Sequence, residues 1–528
     1  MVYTKKTPWT LVMGLVMVGY AYAVQSGAMA EAIKYLGTGR LAGEMQILGY
    51  TFGGIAIVIG LWQLLASTAE GHLDYYLSTV GGVTFIMLIA FIVKWGLDPQ
   101  MAQWGRAAQP ALGFNFASVM NLNYVVMGIV AGIVTVNVFK VPGWAENGVR
   151  LSRLGLKTGV ILLGTLYSLA ELAQLGKLSV VLIGVFVLGS VGVVLWIGAR
   201  RNLPNSMTGV LSAGVGVCGV SAAVACAPVV QAKSTEIAYT IGTILLFGVV
   251  CMFVFPIVGH AFGMGYIQFG AWAGTGILNS AQVAGAALAF QPNGIETLKV
   301  AEIFNITRVL FLPVIVLWLA LWYVKREVGA QKVDVAHVMI SKFPVFVLGF
   351  ILMFALSSTG IFAPARHYQG AYFDNSDKVM TKKDKEGKVT SRLLSDKDLG
   401  ALKAEAEKIK RADQKAALAR LLENRKLMSI EDDDTLRGVV NAKLLTKPAN
   451  DVLVKAHRAV RHSAPKIGMF RDLIAWFFTF GLVGLGMQIT MSSIRQAGGQ
   501  PLVIGSIVGV IKAVGSLIVV LLLVAETI

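Results

Sequence analysis

Charge is what this chain has least of: acidic and basic side chains make up 14% of its 528 residues, against roughly 25% in a typical soluble domain. That deficit excludes an ordinary water-soluble fold. With 55% hydrophobic residues and a mean hydropathy of +0.68, lipid is the solvent for most of the chain. Cysteine is scarce as well. Cys218, Cys226 and Cys251 all fall within apolar runs, so neither a disulfide framework nor a zinc site built on closely spaced cysteine pairs is available, and they read as reduced, packed thiols. His260, His337, His367, His457 and His462 are scattered, and no HExxH, GxSxG or phosphate-binding loop occurs. The chain is therefore expected not to be an enzyme, to hold no metal and no organic cofactor, and to lack the nucleotide site of a primary pump. An H+ or Na+ coupling ion is left open.

What is present is a succession of apolar runs. About thirteen segments of about 17 to 25 residues are long enough to cross a bilayer as helices, so the expected fold class is all-α, a multi-pass protein of the inner membrane. The 58 glycines are concentrated in these runs, where small residues allow close helix packing or a break in a helix. The net charge of +17 does not point to a nucleic acid. Roughly half of the lysines and arginines lie in one polar stretch, and most of the others flank apolar runs, where they set orientation. Lys5 and Lys6 precede the first run, which reads as an uncleaved helix rather than a signal peptide.

Composition divides the chain into an additional N-terminal membrane section (1–115), a glycine-rich body (116–363), a hydrophilic, mainly helical insert (364–467) and a final pair of spans (468–528). In the insert, Leu399, Leu402, Ala406, Ile409, Ala416, Leu421 and Leu422 follow a helical spacing behind Ser395 as cap, which predicts a small helical hairpin. It reads either as a solvated cap or as a docking surface. Counting thirteen spans from a cytoplasmic Lys5 and Lys6 places it outside, whereas Arg458, Arg461, Lys466 and Arg471 pull it toward the cytoplasm.

Two pairs of segments echo each other. GVILLGTLYSLAELAQLG, with Gly159 and Gly164, and GLVGLGMQITMSSIRQAG, with Gly481 and Gly486, carry glycines at the same three positions and fit an inverted repeat of the kind found in secondary transporters. GVGVCGVSAAVA from Gly214 and GTGILNSAQVAG from Gly274 form the second pair, followed by spans containing Pro256 and Pro313. If both crossed fully they would run parallel, which a re-entrant segment would avoid. Their glycines permit discontinuous helices. The freed backbone, with Cys218, Ser221, Thr275, Asn279, Ser280 and Gln282 beside it, can replace the water around a polar solute, and a helix N-terminus there would favour an anion. Arg308 either snorkels to the headgroups or faces the pathway. Lys233 and Glu236 read as an interfacial pair. The candidate substrate residues are thus Gly216, Cys218, Gly219, Ser221, Asn279, Ser280, Gln282 and Arg308, with Gly159, Gly164, Pro228, Gly481 and Gly486 as hinge or packing positions.

The stretch CGVSAAVACAPVVQAKSTEIAYTIG from Cys218 resembles the signature of the YeiH-like membrane proteins, a family proposed as sulfate exporters. NLNYVVMGIVAGIVTVNVF from Asn121, GVILLG from Gly159, FGAWAGTGILNSAQV from Phe269 and NITRVLFLP from Asn305 add to it. The resemblance covers roughly residues 120–362 and 468–528, omitting the first three spans and the insert. Gly216, Cys218, Gly219, Ser221 and Pro228 match its first motif, and Gln282, Thr307 and Arg308 match later ones. It implies a ten-helix inverted-repeat core related to the sodium/proton antiporter and bile-acid symporter folds, elevator-type movement, a homodimer, and a sulfur oxyanion such as sulfate or a sulfonate as substrate. Leu278 and Asn279 stand where the family is expected to carry a His followed by an acidic residue; if that pair serves proton coupling in relatives, the coupling here is altered or absent, while Asn279 can still hydrogen-bond a solute. The rivals from other classes are an anion channel and a membrane scaffold or sensor acting through the insert.

Overall fold

The computed structural model describes residues 7–65, 72–112, 116–119, 122–167, 169–291, 295–327, 345–364, 367–368, 371–383, 389–409, 411–441, 445–492 and 499–524. Lys5 and Lys6 lie outside these, as do residues 493–498 of the second glycine-rich echo. Apart from turns and connecting loops, the described chain is helical but for five strands of two or three residues. Seven helices are long and apolar enough to cross a membrane: Gly39–Leu65, Ser78–Pro110, Leu175–Arg200, Ser234–Ala261, Glu296–Arg326, Pro465–Gly486 and Gly499–Leu523. An eighth crossing is counted if Trp9–Gln25 and Ala30–Leu36, bent by 87°, form one span. These counts are of the described residues: the expected span 340–362 begins outside them, and its described part, Val345–Ser358, is a shorter apolar helix. The other differences from thirteen have physical causes. Tyr124–Phe139 is a shorter apolar helix, the helix Glu146–Leu163 carries Arg150, Arg153 and Lys157, and two apolar runs turn back before crossing.

Those two runs are re-entrant hairpins. In the first, the arms Asn205–Gly216 and Val220–Cys226 are separated by three residues. A Cβ on Gly209 would lie 2.8 Å from Cγ1 of Val230, so the chain leaving the second arm lies beside the beginning of the first. In the second, the arms Tyr266–Gly276 and Ser280–Phe290 are again separated by three residues, and Phe269 near the start stacks on Phe290 at the end with ring centroids 3.9 Å apart.

The helix Ser234–Ala261 between them fixes their relation. Near its beginning, Glu236 accepts a hydrogen bond from Ser206 Oγ at 3.0 Å at the base of the first hairpin. Near its end, Gly259 packs against Phe269 and Phe290 at the base of the second. At 1.5 Å per residue these bases are about 35 Å apart, and the three arms of eleven or twelve residues, Asn205–Gly216, Tyr266–Gly276 and Ser280–Phe290, span about 16 to 18 Å each. The hairpins therefore enter from opposite ends and meet in the middle, where a Cβ on Gly219 would lie 3.1 Å from Cα of Asn279. This differs from full-length discontinuous helices and removes the parallel-direction conflict: each hairpin is followed by a span, and the two hairpin–span units run in opposite senses.

Glycine sets the remaining approaches. Gly155 and Gly159 face Phe480 and Phe478, Gly481 faces Leu156, and Gly486 lies against the Ile129 carbonyl, so these positions pack three helices together. All of these residues and both hairpins belong to one compact unit, Met1–Ile161, Leu175–Leu348 and Leu473–Val524.

The second unit comprises Leu162–Gln174, Gly349–Asp472 and Ala525–Ile528. A Cβ on Gly164 would lie 2.5 Å from the Phe350 carbonyl oxygen, so the glycine packs closely there. The insert within it is more than a helical hairpin. Strands β1 (His367–Tyr368), β2 (Ala371–Phe373) and β5 (Arg461–Ser463) form an antiparallel sheet in that order, and β3 (Thr381–Lys383) pairs with β4 (Val389–Ser391). Helices Asp396–Lys403, Ala412–Asn424, Ile430–Asn441 and Lys447–Val460 close on a core that includes Leu399, Leu402, Ile409, Leu421 and Leu453. Ser395 caps the first of them by accepting from the Asp398 N–H at 3.3 Å. Ala416, expected inside, is exposed, and Ala417 takes its place in the core.

Candidate anion site at the hairpin tips

Each tip forms where a helix is made to stop. Gly219 has φ +81° and ψ −123°, a region open to glycine and strained for other residues. Opposite it, Asn279 is extended and caps the next arm, its Oδ1 accepting from the Ala281 N–H at 3.1 Å. Stopping the first arm of each hairpin leaves terminal carbonyls without helical partners and a partial negative charge at that end.

A buried cation meets each set of carbonyls. Lys512, from the helix Gly499–Leu523, donates to the Val215 carbonyl at 3.1 Å and the Gly216 carbonyl at 2.9 Å. Arg308, from the span following the second hairpin, donates through Nη1 to the Ile277 carbonyl. Lys512 is 2% exposed and Arg308 0%, which decides against snorkelling for Arg308. Arg308 Nη2 also donates to Asn305 Oδ1 at 2.9 Å, and Asn305 Nδ2 donates to Glu302 Oε2 at 2.9 Å. Glu302, Asn305 and Arg308 thus make a chain along one helix face.

At the tips, Oγ of Ser280, Oε1 of Gln282 and Nε of Arg308 are buried with no hydrogen-bond partner among the described residues; so are Oγ1 of Thr240 and Thr243 on the helix Ser234–Ala261, where Thr240 faces Gly214 and Thr243 faces Gly505. Gln282 Nε2 donates to the Leu245 carbonyl at 3.2 Å, and its Oε1 occupies the space left open by Gly248. Cys218 is buried, and Cys218, Arg308 and Lys512 lie within electrostatic range of one another. Unpaired N–H and O–H donors beside two buried cations are suited to the oxygens of an anion. Among the described residues there is no cluster of three or more His, Cys, Asp or Glu able to hold a metal ion.

Seven of the eight candidate residues therefore gather at the tips: Gly216, Cys218, Gly219, Asn279, Ser280, Gln282 and Arg308. Ser221 stands exposed on its short arm, and Pro228 is exposed in the turn that follows. Lys233 and Glu236 form a helix start, the Glu236 carboxylate accepting from the Lys233 N–H at 2.9 Å. Lys512, Glu302, Thr240 and Thr243 were not among the candidates. Lys512 had a readable signal, a lone lysine within an apolar run of span length.

The comparisons with known proteins extend this picture. A family model described as Conserved hypothetical protein 698 matches residues 81–375. A UPF0324 membrane protein of Nitratidesulfovibrio vulgaris is 36% identical over 443 residues, 83% of this chain and 92% of that protein. The chain belongs to this family. A second UPF0324 protein of the same bacterium is 39% identical over 47% of this chain and 69% of its own length, and one from Clostridium tetani is 30% identical over 39% and 62%. No solved structure matches the chain. The family-model match begins at residue 81, earlier than residue 120 where the sequence resemblance began. As a UPF0324 family member, the chain is a multi-pass membrane protein.

Proposed function

We propose that this protein is a secondary transporter of a small oxyanion, with sulfate and related sulfur oxyanions or sulfonates as the substrate class, and that it is not an enzyme. The observation that carries this reading is the meeting of two oppositely inserted hairpins at one buried point, each tip held by its own cation, Lys512 or Arg308. Such a point is about 16 to 18 Å from either hairpin base, so movement of one hairpin opens a route to one side while the other stays closed. The anion accepts from Arg308 Nε and the Ser280 hydroxyl, atoms otherwise left unpaired. Elevator movement and a homodimer are further parts of the proposal.

Uptake of radiolabelled sulfate into proteoliposomes, with sulfite and methanesulfonate as competitors, tests it. Saturable, competed uptake that is lost in Arg308→Ala supports carriage. Flux that rises without saturation favours a channel, and no flux or anion-dependent stabilisation for any of the three removes the oxyanion reading.

A further inference from the structure

Resting on that reading, we propose that Glu302 couples anion binding to a proton: the carboxylate takes up one proton when an oxyanion occupies the hairpin tips and gives it back when the anion leaves. Glu302 is 1% exposed within a membrane span, a position where an ionisable group is costly and marks ion or proton pathways. Its carboxylate is tied to Arg308 through the two ends of one amide. Asn305 Nδ2 donates to Glu302 at 2.9 Å, and Asn305 Oδ1 accepts from Arg308 at 2.9 Å. One guanidinium thus serves both the Glu302 chain and the second hairpin tip.

An arriving anion competes for the same positive charge. In a poorly screened interior the two negative charges repel, and neutralising the carboxylate relieves that repulsion. The balance is simple: Glu302 carboxylate plus a proton from water gives the carboxylic acid, with no other bond made or broken.

The neighbouring charged groups are few. Glu296, Lys299 and Arg308 share the helix with Glu302; Glu296 accepts from Gln291 Nε2 and the Ile295 N–H at its start, and Lys299 has polar contacts of its own. The helix Leu169–Arg200, joined to this one by the Ser179 and Thr307 hydroxyls at 2.9 Å, brings Lys177. The packed hairpin arms Tyr266–Gly276 and Ser280–Phe290 bring only the phenol of Tyr266, at the base. The following segment Leu312–Arg326 carries Lys325 and Arg326 at its far end. Cys218 and Lys512 reach the group through Arg308.

The test is calorimetric titration of the purified full-length protein with sodium sulfate, sodium sulfite and sodium methanesulfonate between pH 5.5 and 8, in buffers of different ionisation enthalpy. For the wild type, coupling of one proton weakens anion binding about tenfold per pH unit above the carboxyl's ionisation, with about one proton taken up per anion. In Glu302→Gln the pH dependence falls below about twofold across the range, and the buffer dependence disappears. Pronounced pH dependence and proton uptake retained by Glu302→Gln overturn the assignment to Glu302 while leaving the transporter reading intact. If Glu302→Gln does not fold, wild-type proton uptake near zero overturns it alone. No binding of any anion at any pH removes the transporter reading and this inference together.

Discussion

A Cβ on Gly219 would stand 3.1 Å from Cα of Asn279 and 3.0 Å from Cγ2 of Ile244, so the tips of two hairpins and the helix between them meet so closely that a methyl group there would push its neighbours back by a few tenths of an ångström. Gly219 also holds φ +81°. Gly219→Ala therefore meets backbone strain of about 1 to 3 kcal/mol as well as a steric conflict. Thermal unfolding should show a lowered midpoint, and flux should fall below a tenth of wild type. Wild-type values for both would mean that the tips are not in contact.

Lys512→Met separates the energetics of this lysine from its role. Losing it strands the Val215 and Gly216 carbonyls, at about 1 to 3 kcal/mol for a buried unsatisfied group. It also removes a buried charge, and replacing buried ionic groups with apolar ones is often neutral or stabilising by about 1 to 4 kcal/mol. These contributions oppose each other. The unfolding midpoint should stay within a few degrees of wild type while the anion-dependent shift vanishes. A collapsed midpoint would instead mark Lys512 as a structural brace.

Gly248→Ala is expected to act on Gln282, because the new methyl occupies the position of Gln282 Oε1. Overpacking of this kind costs about 1 to 3 kcal/mol. Shortening the partner in Gly248→Ala with Gln282→Ala should recover stability without recovering anion affinity. Contacting residues give non-additive effects, and a double variant equal to the sum of the single ones would separate Gly248 from Gln282.

Both tips could be located from the sequence because the two echoed segments break at the same register. Gly216 ends one arm and Gly276 another, and Val220 and Ser280 restart them. The re-entrant turn was not legible. An apolar run of 25 residues has the same composition whether it crosses or doubles back, and only long-range pairs such as Phe269 with Phe290 separate the two. Lys512 had a local signal, but its partners Val215 and Gly216 lie almost 300 residues away. Nothing local distinguishes Thr240 and Thr243 from threonines that bond their own helix. In the insert, Ser395 announced its cap, whereas strands of two or three residues are too short for an alternating pattern to show.

The insert makes a separate prediction about acid. Lys455 Nζ lies 2.6 Å from Asp398 Oδ2, and hydrogen bonds from Lys455 and Ser395 hold the Asp398 carboxyl down at about 2. Burial raises the proton affinity of Asp433, but hydrogen bonds and charge from His457 and Arg461 outweigh it and leave the carboxyl below its ordinary value. A depressed carboxylate contributes stability above its unfolded pKa of about 3.9 and loses it as pH falls through the folded value. The insert should therefore keep its protection to about pH 4 and loosen between about pH 4 and 2. Hydrogen exchange of the full-length protein, followed over Asp396–Lys403 and Lys447–Val460, reads this directly. Asp433→Asn, which breaks a buried pair, should lower protection at neutral pH by about 3 to 5 kcal/mol, and Asp398→Asn should flatten the acid limb at Asp396–Lys403. Unchanged exchange in Asp433→Asn would show that the Asp433, His457 and Arg461 cluster does not hold these helices together.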